Sequence, residues 1–249
     1  MLGSFEHDQT AERTGHGDPV LRHEAVAQDT AGHAPEDLDL RAALDAHLDP
    51  YLGSCDLVWQ EMVSDLVHID VCMWRPTDDR PFYTFLTQGM SDLPMTVPSE
   101  MAGEVTPHAE LLICLPADWP VPEGIQDLAL WEDEATYFPI RWLTRLARLP
   151  HEHRTWLALG HTVPNGDPAE PFGEGTGLCS WMLRPPMTLP KEAWSLPLSD
   201  GRSVDLFGLV GLTRAELDRK LNAGVESLFT GFDRAGVNEV LRTGRPSTV

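Results

Sequence analysis

Hydrophobic and polar residues alternate along several short segments, most clearly over residues 67–74. One set of alternate positions is apolar, and the set between them is more mixed: Val67, Ile69, Val71 and Met73 against His68, Asp70, Cys72 and Trp74. A period of two predicts a β-strand whose two sets of side chains lie on opposite faces of a sheet. Other short apolar segments predict further strands, at residues 82–87, 110–115, 156–159, 178–183 and 204–210.

Helical periodicity appears between these strands. Leucines and alanines after Pro35 predict a first helix that ends before Pro50, because a proline disfavours helical geometry in the residue before it. Residues 139–149 predict the clearest helix, with Pro139 in its first turn and apolar side chains on one half of its surface. Near the end of the chain, Thr213 and Glu216 form a capping box that begins a helix to Ala223; Gly224 stops it, and a second helical stretch covers 226–234.

The mixture of strands and helices, without an internal repeat, predicts the fold class. We expect an α/β or α+β domain, single and compact, with a central mixed and largely antiparallel sheet flanked by helices. Residues 199–202 have the composition of a hairpin turn, which favours antiparallel pairing before the last strand. The domain is expected to cover residues 37–249, and residues 1–36 are expected to be a flexible acidic tail because they contain almost no large apolar side chains.

Charge and composition limit the classes of function that are expected for this protein. The 249 residues carry 18 Lys or Arg against 39 Asp or Glu, a net charge of -21, which works against binding to nucleic acid or to anionic lipid surfaces. No apolar run approaches the length of a membrane span and no secretion signal opens the chain, so a cytoplasmic location is expected. The four cysteines form no C-x-x-C pair and are expected to be reduced and buried.

Motifs for catalysis are weak. Gly89-Met90-Ser91-Asp92-Leu93 begins like a nucleophile elbow but lacks the second glycine, and no glycine-rich loop suited to phosphate is present. His151, His153 and His161, with Asp167, have the side chains of a metal site, but their spacing is weak evidence for one and is more typical of a solvated loop between a helix and a strand. We therefore predict no enzyme, no catalytic residue, no metal and no cofactor, and we keep a metal-dependent hydrolase that uses these three histidines as an alternative.

Two loops and one helix face are candidates for binding a protein partner. Arg141, Arg145 and Arg148 lie at i, i+4 and i+7 of the predicted helix, as a basic stripe on an acidic protein. The loops at residues 91–94 and 160–167 contain polar residues in tight turns and are expected to meet at one end of the sheet. The predicted partner-binding residues are Ser91, Asp92, Arg141, Arg145, Arg148, His161, Asn165 and Asp167. A solvated helix face and self-stabilised turns are the alternatives.

Several segments, in this order and spacing, resemble the suppressor-of-fused domain family, above all its bacterial members. The most telling are Gln88 to Met95 and Gly160 to Gly166; the others are His68 to Val71, Ala109 to Pro116, Phe138 to Leu143 and Leu146 to Arg148. The resemblance extends from about residue 50 to residue 246. It implies a compact α/β domain with a central mixed sheet, no recognised catalytic centre and a role in protein binding.

The resemblance also implies what the partner is in related proteins. Eukaryotic members sequester Gli-type zinc-finger transcription factors and hold a short peptide as an added β-strand between two domains, whereas bacterial members look like immunity proteins of polymorphic toxin systems. His161 stands where eukaryotic members carry an aspartate that helps hold the Gli peptide, and the chain is expected to lack room for the second domain. Gli recognition is therefore not expected here.

Together these observations favour a cytoplasmic, non-enzymatic binding module, with an immunity or antitoxin-like role as the leading hypothesis. The expected partner is a protein, with a basic toxin domain as one candidate, and neither nucleic acid nor membrane is expected. An acidic protein would steer towards a basic partner and compete with its phosphate substrate. A stand-alone regulator that sequesters an endogenous protein is the other alternative, and the oligomeric state stays open.

Overall fold

A mixed sheet of eight strands forms the middle layer of the computed structural model, which describes residues 12–22, 36–61, 66–122 and 127–249. The strand order is β1-β2-β3-β4-β8-β6-β5, and β7 pairs with the first residues of β8. Only β4 and β8 are parallel among the strand pairs of the described residues, which confirms the predicted mixed, largely antiparallel sheet. The strands are β1 Leu57–Trp59, β2 Asp70–Trp74, β3 Phe82–Gln88, β4 Ala109–Pro116, β5 Thr162–Pro164, β6 Leu178–Arg184, β7 Ser195–Pro197 and β8 Ser203–Thr213.

Helices cover both faces of this sheet. They are α1 Leu38–Leu52, α2 Leu128–Glu132, α3 Glu134–Glu152, α4 Arg214–Ala223 and α5 Glu226–Ala235, with short 3-10 turns at Met90–Asp92, Ser99–Met101 and Lys191–Ala193. Helix α3 packs on one face, while α1 and the α4–α5 pair share the other. No helix in the described residues is both long and apolar enough to cross a membrane.

The alternation in the sequence decides which layer each strand residue contacts. Val71 and Met73 of β2 are buried with Leu143 of α3, whereas Cys72 and Trp74 are buried with the leucines of α1. The same rule holds along β8, where alternate residues turn towards opposite helical layers. The predicted faces of residues 67–74 are therefore confirmed, because a strand between two layers of helices presents each set of side chains to a different core.

The hairpin and the last two helices match the sequence prediction. The Leu198 amide donates to the Arg202 carbonyl at 2.8 Å, which closes the turn that joins β7 to β8. The side chain of Thr213 accepts from the Glu216 amide, and the Glu216 side chain accepts from the Thr213 amide, so both halves of the capping box are present.

Three predicted boundaries were wrong. Helix α1 continues through Pro50 to Leu52, because a proline near the end of a helix removes only one backbone hydrogen bond and the turn is still closed by the Gly53 amide on Asp49. Helix α3 begins at Glu134 rather than Pro139, because the Asp133 side chain caps it by accepting from the Ala135 amide. It also extends through Pro150 to Glu152.

Residues 156–159 do not form the predicted strand. They run between α3 and β5 as an irregular segment in which Leu157 is buried and its amide lies 3.3 Å from the Met95 sulfur. The short apolar run predicts a strand, but within the described residues no strand pairs with it. Cys72, Cys114 and Cys179 are buried free thiols and Cys55 is half-buried.

Part of the predicted tail contacts the domain. Residues 12–22 form a turn closed by hydrogen bonds between Thr14 and Asp18, and the His16 amide donates to the Leu221 carbonyl of α4 at 2.9 Å. The composition of this segment did not predict these contacts. Residues 1–11 and 23–35 lie outside the described residues, so the predicted flexibility of 1–36 as a whole stays a prediction.

Deletion of residues 1–22 should lower the melting temperature by less than about 5 °C, because exposed ion pairs and a few surface hydrogen bonds contribute little to stability. The Arg22 pairs with Glu12 and Asp167 that the deletion removes are of this exposed kind. Calorimetry of the full chain, of a chain without residues 1–11 and of one without residues 1–22 measures the two parts separately. A larger fall in the last variant alone would show that residues 12–22 belong to the core of the domain.

Candidate protein-binding surface

The loop after β3, which contains Ser91, is built around a buried carboxylate. Glu110 of β4 is fully buried, and one of its oxygens accepts from the Gly89 amide, the Ser91 amide and the Ser91 hydroxyl at 3.0, 3.0 and 2.6 Å. Its other oxygen accepts from the Thr87 hydroxyl at 2.5 Å. The His108 ring contacts the Ser91 carbonyl at 2.9 Å. These bonds fix the conformation of the loop from below.

Burial has the largest effect on the pKa of the Glu110 carboxylate. Removal from water raises the pKa of Glu110 to about 7, although the hydrogen bonds from Ser91, Thr87 and Gly89 work in the opposite direction. The folded protein therefore holds a proton on Glu110 over a pH range in which the unfolded chain has already released it.

Replacing Glu110 by glutamine should remove a specific pH dependence of stability. Between about pH 4.5 and 7 the folded wild type binds the extra proton, so its free energy of unfolding falls as the pH rises through this window and levels off above pH 7. Glutamine copies the protonated acid at every pH. The wild-type free energy of unfolding, taken relative to the variant, should thus fall on the order of 2 to 3 kcal/mol between pH 5 and 8 in urea denaturation.

The matched control for this experiment is Glu174→Gln, an exposed glutamate in the β5–β6 loop. Relative to that variant, the wild type should show no comparable loss of stability across the same window. A constant difference between wild type and Glu110→Gln over the whole pH range would contradict the raised pKa of Glu110.

Beside this loop, a second buried network ties α1 to the sheet. Arg41 of α1 donates to Asp70 at 2.7 Å, to the His68 carbonyl at 3.1 Å and to Asp92 at 3.3 Å. The side chains of Arg41, Asp70 and Asp92 are only 11%, 6% and 2% exposed. Burial raises the pKa of Asp92, although Arg41 and a hydrogen bond from the Asp37 backbone lower it in part.

Ser91 and Asp92 therefore have structural roles within the fold, which leaves few of their polar groups for the predicted contact with a partner. Ser91 is 2% exposed, and its polar groups are used on Glu110 and His108. Asp92 points at Arg41 under α1. The turn-forming residues of this motif face inwards because the loop folds over the end of β4 rather than away from it.

The arginines of α3 divide into two groups. Arg145 is exposed, and its guanidinium lies 4.9 Å from the centre of the half-buried Trp142 ring. Arg141 lies 5.5 Å from the centre of the Tyr137 ring and pairs with the exposed Glu134. Both positive charges thus lie on aromatic surface at the outside of the helix, where a partner can reach them.

Arg148 has a different role. It forms an ion pair with Glu61 beside β1, and the other oxygen of Glu61 accepts from the Ile69 amide at 3.0 Å. The side chains of Arg148 and Glu61 are 24% and 15% exposed. This arginine connects α3 to the β1–β2 edge and is largely occupied within the protein, so the predicted three-residue stripe has two accessible members.

Asn165 stabilises its own loop. Its side-chain amide donates to the carbonyls of Glu170 and Pro171, at 3.0 Å each, and its backbone amide donates to Cys179 of β6. Asp167 is exposed and pairs with Arg22 at 2.9 Å. The alternative of a self-stabilised turn therefore describes the Asn165 side chain.

His161 lies immediately before β5 and is mostly enclosed. Burial, helped by the nearby positive charge of Lys220, lowers the pKa of His161 to about 4, so the ring is neutral at physiological pH. The ring meets Trp156 edge to face with 5.7 Å between centres. Its backbone carbonyl accepts from the Leu183 amide at 3.0 Å, which continues the β5–β6 ladder.

The two predicted loops do not meet. Strand β3 ends at the end of the sheet where β4 and β8 begin. Strand β5 ends at the opposite end, where β8 ends. The loops that follow β3 and β5 therefore leave from opposite ends of the sheet, and β4, β8 and β6 lie between these strands. Both loops flank strands, as predicted, but strand direction and order separate them.

The structure instead brings the Asn165 loop close to α3. Phe172, in the β5–β6 loop, contacts Trp142 with 5.1 Å between ring centres, and Asn165 holds the neighbouring Pro171. Trp142 in turn carries Arg145. The candidate surface, which we call the α3–β5 surface, consists of Tyr137, Arg141, Trp142, Arg145, Asn165 and Phe172 together with the outer edge of β5.

The outer edge of β5 is a feature that sequence reasoning missed, because a three-residue strand has too little alternation to detect. The His161 carbonyl accepts from the Leu183 amide of β6 and the Asn165 amide donates to the Cys179 carbonyl of β6, so by alternation the N–H and C=O groups of Thr162 point away from β6. Within the described part of the chain, no strand pairs with this side of β5. Such an edge can accept an added strand from another chain.

The histidines proposed for a metal site do not come together. The His151 ring contacts the Met90 carbonyl at 3.0 Å, and burial lowers the pKa of this histidine. His161 faces Trp156 instead. Among the residues that the structure describes, no three His, Cys, Asp or Glu side chains are grouped so that they could hold a metal ion. The metal-dependent alternative thus loses the cluster on which it depended.

This architecture, a mixed sheet between two helical layers with aromatic and arginine side chains beside an open strand edge, is that of a three-layer α/β domain with a surface suited to protein contacts. The family described as Suppressor of fused protein (SUFU) matches residues 65–246, which is well over half of the chain. The protein therefore belongs to the suppressor of fused family, as its sequence motifs predicted.

Solved structures agree on the fold. A SUFU (suppressor of fused protein) homologue from Neisseria gonorrhoeae FA 1090 is 20% identical, with a TM-score of 0.60 over 85% of this chain and 98% of that chain. The Sufu–Fu complex gives 14% identity and a TM-score of 0.57, over 86% and 93% of the two chains. Drosophila Suppressor of Fused gives 14% and 0.54, over 86% of this chain and 52% of that one. No curated protein matches the sequence significantly.

Proposed function

We propose that this protein is a non-enzymatic, cytoplasmic binding module that neutralises a partner protein by direct contact, and that it serves as an immunity protein against a toxin domain. The observation that carries the proposal is the α3–β5 surface, where two accessible arginines lie on aromatic rings beside an open strand edge. Family membership supports it, since a family member is found in the Sufu–Fu complex.

The composition of the α3–β5 surface is typical of a binding site. Arginine, tryptophan and tyrosine supply most of the affinity at protein interfaces, because they combine large apolar area with a directed polar group. A guanidinium already resting on the Trp142 ring is also partly immobilised, so less conformational entropy is lost when a partner covers it.

The open edge of β5 would add backbone hydrogen bonds. Thr162 offers one N–H and one C=O on the side away from β6, while Pro164 offers only a carbonyl. An edge this short fits one or two residues of a partner strand. We propose that this edge sets the register of the partner and that Arg141 and Arg145 supply affinity by binding an acidic segment within an otherwise basic partner.

The overall charge fits a basic partner. A net charge of -21 accelerates encounter with a positively charged protein and competes with phosphate groups for its active site. Toxin domains that cleave nucleic acid need positive charge to hold their substrate, so a protein of this charge is suited to inhibit them.

The product of the neighbouring reading frame provides the first test. If that product arrests growth when expressed alone, co-expression of this protein should restore growth, and the two purified proteins should form a stable complex. A neighbour that is harmless when expressed alone, or a toxic neighbour that this protein neither binds nor neutralises, would contradict the immunity role. A harmless neighbour that still forms a complex would favour the regulator instead.

Substitutions in the α3–β5 surface then test whether the partner binds there. Arg145→Glu should weaken the complex by about 30-fold, as at an interface hot spot, with no change in melting temperature because Arg145 is exposed. His161→Ala should also weaken it by removing the ring that leads into β5. Arg219→Glu, an equal charge change at an exposed position of α4, is the control. Equal affinity of the Arg145→Glu and Arg219→Glu variants in calorimetric titration would remove the α3–β5 surface from consideration.

A further inference from the structure

A cavity of about 290 Å³ lies between α5 and the last residues of the chain, and none of the residues that line it belongs to the α3–β5 surface. Three of its lining residues are arginines, Arg234, Arg242 and Arg245, and none is an aspartate or glutamate. The whole chain has only 18 basic residues against 39 acidic ones, so a cavity lined by three arginines and no acid departs from the charge of the rest.

The floor of the cavity is rigid. Arg245 makes two hydrogen bonds to the fully buried Glu216, at 2.6 and 2.5 Å, and another to the Gly211 carbonyl at 2.7 Å. Glu216 also accepts from the amide and the hydroxyl of Thr248. Burial favours the neutral acid, yet the hydrogen bonds from Arg245 and its charge hold the pKa of Glu216 below the usual range. The positive charge of Arg245 is thus neutralised inside the protein and serves the fold.

Arg234 and Arg242 differ from Arg245 in this respect. Both are exposed, and neither forms an ion pair with any acidic residue in the described parts of the chain. Arg234 lies in the last turn of α5. Arg242 lies in the segment after Val240, a residue that forms an isolated parallel bridge with Cys114 of β4. Two separate elements therefore bring two unneutralised guanidinium groups to one cavity.

Apolar side chains line the remainder of the wall. Leu178, Val237, Val240 and Pro246 contribute to it, and the Asn238 side chain accepts from the Val240 amide, which leaves its NH₂ group as a donor. A ligand that fits must therefore combine negative charge with apolar groups. A carboxylate suits the setting better than a phosphate, because the field of a protein with net charge -21 repels a dianion more strongly than a monoanion.

We propose that this cavity binds a short peptide segment that carries carboxylates next to an apolar side chain, with Arg234 and Arg242 as the residues that recognise the carboxylates. Arginine is suited to this task because its planar fork of donors matches the two oxygens of a carboxylate. The size of the cavity, at the lower end of ordinary ligand sites, limits the bound segment to a few residues. The site shares no lining residue with the α3–β5 surface, and the proposal does not depend on the immunity role.

The experiment uses the full chain and the dipeptide N-acetyl-Glu-Leu as a probe, with N-acetyl-Gln-Leu-amide as its uncharged analogue and inorganic phosphate as the competing anion. Titration followed by ¹H–¹⁵N NMR should show saturable binding of the acidic dipeptide, with shifts confined to the backbone around Gly231, Gly236 and Asn238. Arg234→Gln and Arg242→Gln should each weaken binding about fivefold or more, since each removes a charged hydrogen bond. Arg219→Gln, an exposed arginine outside the cavity, should leave the affinity unchanged.

Each other outcome overturns the proposal. If saturable binding is absent, or if the charged and the uncharged dipeptide bind with equal affinity, the arginines recognise no carboxylate. Phosphate that binds as tightly as the acidic dipeptide would replace the peptide assignment by a simple anion site. An equal loss in Arg219→Gln would attribute the effect to the general field of the protein. Melting temperatures of the three variants should match that of the wild type, because all three side chains are exposed.

Discussion

Replacing Arg41 by methionine should lower the free energy of unfolding by about 3 to 5 kcal/mol, the range measured when one partner of a buried ion pair is removed. Methionine keeps much of the length and apolar packing of the arginine but leaves Asp70 and Asp92, which are 6% and 2% exposed, without their cation. It also removes the donor to the His68 carbonyl. Asp92 would then lose its cation, and Asp70 would keep only the Glu61 amide and the His68 ring, at 3.0 and 2.8 Å. Urea denaturation at pH 7 measures the loss.

Two control experiments identify the cause of the stability loss expected for Arg41→Met. Arg219→Met removes an exposed arginine from α4 and should change stability by less than about 0.5 kcal/mol. Adding Asp70→Asn and Asp92→Asn to Arg41→Met should recover much of the lost stability, because the buried charges are then gone. If the triple variant is no more stable than Arg41→Met, the loss comes from packing and not from unpaired charge.

Replacing Gly89 by alanine should cost about 4 kcal/mol or more, or prevent folding. Gly89 has φ of 120°, a region that favours glycine, and a methyl group built there would overlap the carbonyl oxygen of His68. This carbonyl is backbone of the segment that leads into β2, and it is held by Arg41, so it cannot move aside cheaply. The variant would also displace the Gly89 amide from Glu110.

The Gly103→Ala variant separates the cost of a positive φ from the cost of the overlap with the His68 carbonyl. Gly103 also has a positive φ, 89°, but nothing lies within 4 Å of the position that a methyl group would take. The Gly103 variant should lose only about 1 to 2 kcal/mol, the cost of placing alanine in this backbone region. Equal losses in the two variants would mean that backbone strain alone accounts for Gly89, and that the contact with His68 relaxes.

Local signals in the sequence predicted the elements that depend on neighbours along the chain. The capping box at Thr213 and Glu216 and the turn before β8 need residues only a few positions apart, and both form as predicted. Alternation along residues 67–74 assigned each side chain to the correct face, because a strand offers only two. The motifs from Gln88 to Met95 and from Gly160 to Gly166 predicted the family, which the match over residues 65–246 confirmed.

The candidate site was predicted less completely. Arg141 and Arg145 are on the outside of α3, as helical spacing requires, but the same spacing could not show that Arg148 is held by Glu61, 87 residues earlier. Ser91 and Asp92 lie in a loop, as predicted, but Ser91 is buried and the Asp92 carboxylate points at Arg41. Their partners, Glu110 and Arg41, come from elements that only the folded chain brings beside them.

By itself, then, the sequence determined the fold class, the faces of its strands, the family and the negative charge that any partner meets, because these follow from composition and from short-range order. The tertiary structure decided which polar residues are buried, which arginines stay unpaired, and that the loops after β3 and β5 lie at opposite ends of the sheet. The physical reason is that strand order and direction are fixed by pairing between distant segments, and that burial of a polar side chain depends on partners from those segments.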